Sequence, residues 1–224
     1  MVYRRTDKVR QRLARRHAAI IDAARALAAE GGMAAVQIAP VAERAGIAAG
    51  TVYRYFPSKT DLVAALVTTL SEREIGEVRR AASAAPGPLS ALAAAVATFA
   101  ARAMRQRRLS WAVIAEPVDP TVDAVRRAHR KALVAEVEAR IRAALDEGLL
   151  PEQDAALAAP AVVGALIEGL IGPLAPDAAN DPARSRDAVQ MLTLLSLRAL
   201  GLVDARARGL VVQTALPALN GDAA

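Results

Sequence analysis

The sequence predicts an all-α protein, a small helical head carrying a helix-turn-helix followed by a larger helical bundle. Three observations carry this. Ala and Leu dominate the 224 residues, and the β-branched alternation that a half-buried strand needs is scarce. Positions Leu13, His17, Ile20, Ala24 and Leu27 recur at three and four residues, the period of one helix face. Residues 38–56, IAPVAERAGIAAGTVYRYF, hold two short helical patterns hinged at Gly46.

The elements follow in order. Residues 1–6 form a basic arm, and a helix over 7–30 starts on Asp7 as a cap and stops at Gly31-Gly32. A second helix, 40–45, starts near Pro40, whose ring is tolerated only in a first turn. Gly46 supplies the turn at no Cβ penalty, and a third helix spans 49–55. Ser58 caps a fourth helix over 59–80, with Leu62, Leu66, Val67 and Leu70 on its inner side. Residues 81–88, AASAAPGP, read as a break. Beyond it come helices at 89–107 and 110–115, a turn at 116–120, and a long helix that Thr121 caps and Gly148 ends. Two further helices are expected at 160–174 and 185–202, with a linker at 175–184 between them. The domains are thus a head at 1–57, a connecting helix at 58–80, a bundle at 81–208 and a tail at 209–224.

Charge is distributed unevenly. Residues 1–60 hold 11 of the 29 Lys and Arg but only 4 of the 23 Asp and Glu, and the remaining residues hold 18 and 19. The whole formal excess of +6 therefore lies with the hinged helix pair, the electrostatic footprint of a nucleic-acid module. Val41, Ala42, Ala45, Ile47 and Val52 are small or apolar where two short helices would cross. Thr51, Tyr53, Arg54 and Tyr55 offer hydroxyls and a cation for phosphates and base edges. Lys59, just after a cap, adds a phosphate clamp. Arg10, Arg12, Arg15 and Arg16 crowd the first turns of a helix, where they oppose its dipole, a placement that suits a partner's phosphates, with a purely solubilising role as the alternative. The pattern implies a sequence-specific, double-stranded DNA binder; a non-specific architectural DNA-binding protein is the alternative.

Several classes are excluded. With no cysteine there is no disulfide framework, zinc finger or thiol chemistry, and His17 and His129 lie far apart. No catalytic cluster, P-loop or nucleophile elbow appears, so neither an enzyme nor a cofactor or metal is expected. The apolar run 159–174 is broken by Glu168, Gly172 and Pro173, and the basic N-terminus lacks a secretion-signal core, so a cytoplasmic protein away from membranes is expected.

In the bundle, the nearly all-apolar helix 160–174 is expected to be buried on all sides. Gly164 and Ala165 on it, with Val189, Leu192, Leu195 and Ala199 on the next helix, suit a four-helix homodimer interface, or the completion of one subunit's core. Phe99, Met104, Trp111, Ile114, Val137, Ile141 and Leu166 either line an apolar cavity for a small lipophilic effector or form core. Arg102, Glu116, His129 and Glu168 are the polar residues suited to orient such a ligand.

Residues 16–66 closely resemble the TetR family of bacterial transcriptional regulators. The likeness runs through Val36, Ile38-Ala39, Ala45-Gly46, Ile47, the string Gly50-Thr51-Val52-Tyr53-Arg54-Tyr55-Phe56, Lys59 and Leu62. It implies a homodimer that binds a palindromic operator, usually as a repressor, and lets go when a small molecule enters the larger domain. Carried over, Thr51 and Tyr53 are phosphate and base-edge contacts, Arg54 a base reader and Lys59 the clamp. Ala49 and Tyr55 complete the DNA-facing set. Ala48 and Ala49 replace the usual Ser and its polar neighbour, a loss of capping that costs about 0.5–2 kcal/mol.

Overall fold

The computed structural model describes residues 2–176 and 181–216, which contain ten α-helices, one short 3-10 helix and no strand. Residues 177–180 of the expected linker and 217–224 of the expected tail lie outside the described residues. The chain divides into two compact units. One is Met1–Leu70 with Ala112–Arg127; the other is Ser71–Trp111 with Ala128–Ala224.

The first unit is the head. Helix α1 spans Val2–Gly31, so Asp7 stands inside it instead of capping it. Its buried stripe begins at Ile20 and continues through Ala24 and Ala28, while Leu13 and His17 are exposed. The helical period continues N-terminal of Ile20, where α1 is no longer buried. A 3-10 turn, Met33–Ala35, leads to α2, Ile38–Arg44, where Pro40 sits within the first turn as its ring requires. Helix α2 ends on Gly46 at φ +64°, with Gly46 N–H donating to Glu43 O and Ile47 N–H to Ala42 O, both at 3.0 Å. Helix α3 spans Ala49–Tyr55, and Ala48 gives it no side-chain cap. Helix α4 spans Lys59–Ala84, starting on the expected cap: Ser58 Oγ accepts from Asp61 N–H at 3.1 Å and donates to Asp61 Oδ2 at 2.7 Å. It runs into the expected 81–88 break as far as Ala84, because alanines 81, 82 and 84 offer no stop.

In the second unit α5, Pro88–Arg105, buries most of its length, and its alanines let α8, α9 and α10 pack against it. Helix α6 is Arg107–Ile114 and α7 is Pro120–Asp146; both divide between the units. The start of α7 is stabilised by Asp119, whose Oδ1 accepts from Thr121 N–H at 2.8 Å, so Thr121 is not its cap. Helix α8, Ala155–Leu170, begins earlier than Pro160 suggests because Asp154 caps it through Ala156 N–H at 2.8 Å. Helix α9, Pro182–Ala199, is likewise capped early, by Asp181. The stretch left unassigned in sequence contains α10, Asp204–Gln213, so the expected boundary at 208 falls inside a helix.

Helix α8 is not buried on all sides. Ala159, Val162, Val163, Leu166, Ile167 and Leu170 face the core, while Pro160, Ala161, Gly164 and Ala165 are exposed and Leu157 is 70% exposed. On α9, Leu195 is 53% exposed and Ala199 is exposed. Val189 is a correction: at 0% exposure it belongs to its own subunit's core and cannot face a partner. Leu192 is half-buried, with its Cδ1 3.1 Å from where a Cβ on Gly169 would lie, so that glycine's close approach is used within the subunit.

Arginines hold this unit together. Arg102 clasps Glu74 through two bonds of 2.6 and 2.7 Å. Arg107 donates to Ala175 O at 3.0 Å and Pro176 O at 2.9 Å, taking up carbonyls beyond the end of α8. Buried Glu136 accepts from Arg79 Nε at 3.0 Å and from Arg140. Burial alone pushes the Glu136 carboxyl up, but the bonds from Arg140 and Arg79 outweigh it and hold the group below its ordinary 4.5. A depressed carboxyl stabilises the fold above its unfolded value and loses that contribution as pH falls through the folded one. Glu136→Gln should therefore cost about 1–3 kcal/mol at neutral pH. The deficit should shrink as the solution is acidified below 4.5, measured by urea unfolding across pH.

Candidate nucleic-acid interface

Helix α3 is oriented by what it buries. Val52 has 0% exposure and packs in the same core as Val41, Ala42 and Phe56, all buried. That fixes the rotation of the helix, and Ala49, Gly50, Tyr53 and Arg54 emerge on the outside, Tyr53 at 51% exposure. Thr51 and Tyr55 are half-buried at the margins of this face. Tyr55 meets the ring of His17 edge-on at 6.5 Å, and His17 also lies 4.9 Å from Phe56, so part of Tyr55 is used in packing. Lys59 is exposed as the first residue of α4, beside the Ser58 cap. The six residues singled out in sequence are thus all on α3 or at the start of α4.

The other end of the head is fixed by a distant residue. Gly32 ends α1 at φ +73°, and the next amide, Met33 N–H, donates to Glu116 Oε2 at 2.7 Å. Arg126 in turn donates to Glu116 O and Ala112 O, which holds the segment that carries Glu116. Arg44 is committed to Glu30 at 2.8 Å, and this pairing holds the Glu30 carboxyl below its usual range. Glu116 is therefore a head residue and not a ligand-orienting one, and no local sequence signal announces a bond across such a separation. Lys8 also escaped the sequence reading, although its spacing to Arg12 and Arg16 marks one helix face. A groove of about 660 Å³ brings Lys8, Gln11, Arg12, Arg15, Arg16 and Ala19 together with Ala45, Gly46 and Ile47.

The expected effector residues are placed less uniformly. Phe99, Met104, Val137, Ile141 and Leu166 are buried in the second unit, where Trp111 is half-buried. Ile114 falls in the head's unit. Arg102 is taken up by Glu74, His129 is half-buried on α7, and Glu168 is exposed with its carboxylate against Gly172.

Two short helices turning at a left-handed glycine, the second presenting polar side chains outward, form a helix-turn-helix, the motif of a class of DNA-binding proteins. Residues 20–66 match the family of bacterial regulatory proteins, tetR family. Over 73 residues the chain is 47% identical to the HTH-type transcriptional repressor KstR of Mycolicibacterium smegmatis, covering 33% of this chain and 36% of that one. The match thus spans about a third of that relative's length. The fold is similar to RolR in complex with resorcinol, at 24% identity and TM-score 0.65 over 94% of this chain and 99% of that one. It is also similar to FadR from Bacillus subtilis in complex with stearoyl-CoA, at 21% identity and TM-score 0.65 over 78% and 96%. At these identities the likeness is one of fold. Residues 20–66 thus carry the DNA-binding segment of the TetR family of bacterial regulatory proteins.

The two glycines of the head should respond differently to a methyl group. A Cβ on Gly46 meets nothing within 4 Å, so Gly46→Ala should cost only the backbone term, about 1–2 kcal/mol. A Cβ on Gly32 would lie 2.6 Å from the Glu116 carboxylate, so Gly32→Ala should cost more. That excess should vanish in a Glu116→Ala background, read by amide hydrogen exchange in α1 and α2.

Proposed function

We propose that this protein is a ligand-responsive, sequence-specific transcriptional repressor that binds a palindromic operator as a homodimer in the cytoplasm. The observation that carries this reading is the outward edge of α3, where Ala49, Tyr53 and Arg54 stand exposed over the buried Val52. In this reading Thr51 and Tyr53 bond phosphates and base edges, Arg54 reads a base, Ala49 allows close approach and Lys59 clamps a phosphate. Half-buried Tyr55 supports the face and reaches the backbone from its margin.

Exposed apolar surface on α8 and α9 supports the dimer. Leu157, Ala161, Gly164, Ala165, Leu195 and Ala199 are exposed there, a patch of the kind that marks an interface. Two heads also supply the contacts that one lacks for tight specific binding. The effector is a small lipophilic molecule held among the apolar residues of the second unit. The support is that RolR was solved with resorcinol and FadR with stearoyl-CoA, and that Phe99, Met104 and Trp111 offer this unit comparable apolar chemistry.

Titration of a duplex selected from a random library, against random DNA, tests the regulator reading. Specific binding should survive salt that strips random duplex; equal loss on both would leave the architectural alternative. Lys59→Ala should lower the salt slope by about one unit. Arg54→Ala should cost about 1–3 kcal/mol and relax preference at one base pair.

Ala165→Glu would place an unpaired carboxylate in the proposed seam. The variant should run as a monomer by light scattering and lose operator affinity. A dimer with unchanged affinity would remove Ala165 from the interface.

A further inference from the structure

Helix α1 extends well before residue 20, where the family match begins, and that extension is not inert. Lys8, Arg12, Arg15 and Arg16 share the groove of about 660 Å³ whose other wall is Ala45, Gly46 and Ile47, the turn that leads into α3. The spacing of the four cations places them on one side of the helix, where those four apart repel one another. No ion pair among the described residues takes up any of the four. The groove is open, and its turn wall is small: a Cβ on Gly46 would meet nothing within 4 Å. Unneutralised cations along an open channel suit an extended polyanion better than a single ion. Ile47 lies just before α3, so a strand that leaves the recognition helix has this channel beside it.

We propose that the extension of α1 binds the sugar-phosphate backbone of duplex DNA flanking each half-site, and so lengthens the operator beyond what α3 reads. The inference rests on the regulator reading above, and its test separates the two. The selected operator is prepared in two lengths, one trimmed at the half-site edges and one extended by about one helical turn, roughly ten base pairs, on each side. The intact protein should bind the extended duplex more tightly and with a steeper salt slope. The triple variant Lys8→Ala, Arg12→Ala, Arg15→Ala should match the intact protein on the trimmed duplex. On the extended one its slope should fall by about three units per subunit. These side chains are exposed, so the variant should melt as the intact protein does. Arg12→Lys with Arg15→Lys should keep the slope, because it keeps the charge.

Indifference of the intact protein to duplex length would overturn the proposal and leave the regulator reading standing. Equal weakening of the triple variant on both lengths would also overturn it. If the intact protein prefers neither selected duplex over random DNA, both readings fall together.

Discussion

Everything presented by the head depends on how sharply the chain turns at Gly46. With φ at +64° the backbone reverses within one residue, and the amides of Gly46 and Ile47 close onto Glu43 and Ala42. A side chain there would strain the turn, and a looser turn would let α3 rotate about its own axis. Because Val41, Ala42 and Val52 then share one dry core, the rotation of α3 is set by packing and not by its polar face. Tyr53 and Arg54 project outward as a consequence of what Val52 buries.

Arginine has two uses in this chain. In the second unit guanidinium groups are consumed internally: Arg102 on Glu74, Arg79 and Arg140 on Glu136, Arg107 on backbone carbonyls. In the head Lys8, Arg12, Arg15 and Lys59 are exposed, while Arg44 pairs with Glu30 and Arg126 with backbone carbonyls. The same residue type is a staple where it meets a carboxylate or carbonyl and an available charge along the start of α1. Formal charge counted along the sequence hints at this division, but only the pairing reveals it.

Local signals were legible where the physics is local. Helix α3, the Ser58 cap and the stop at Gly148 follow from nearby residues, and each occurs where the sequence places it. Helix starts governed by two competing candidates were misplaced: Asp154 prevails over Pro160, and Asp119 over Thr121, because an acceptor side chain satisfies amides that a ring or a later hydroxyl does not. Periodicity says which face of a helix is apolar, but not how far along a neighbour covers it. That is why Leu13 and His17 share the period of a core stripe that starts only at Ile20. Val189 shows the converse, since an apolar stripe does not distinguish a subunit's own core from its partner's. Among the site residues, those of α3 were readable because a short, strongly patterned motif holds them. The role of Glu116 was not, because it depends on chain distant in sequence.

The bond from Met33 N–H to Glu116 has a bearing on modularity. The head is contiguous only up to a point, and its last carboxylate arrives from the α6–α7 segment that Arg126 secures. A chimera that transplants residues 1–70 onto a foreign body would carry the recognition helix but leave the end of α1 without its acceptor. In this protein the head is not a detachable cassette, and the natural cut for recombining it with another body must take residues 112–127 along.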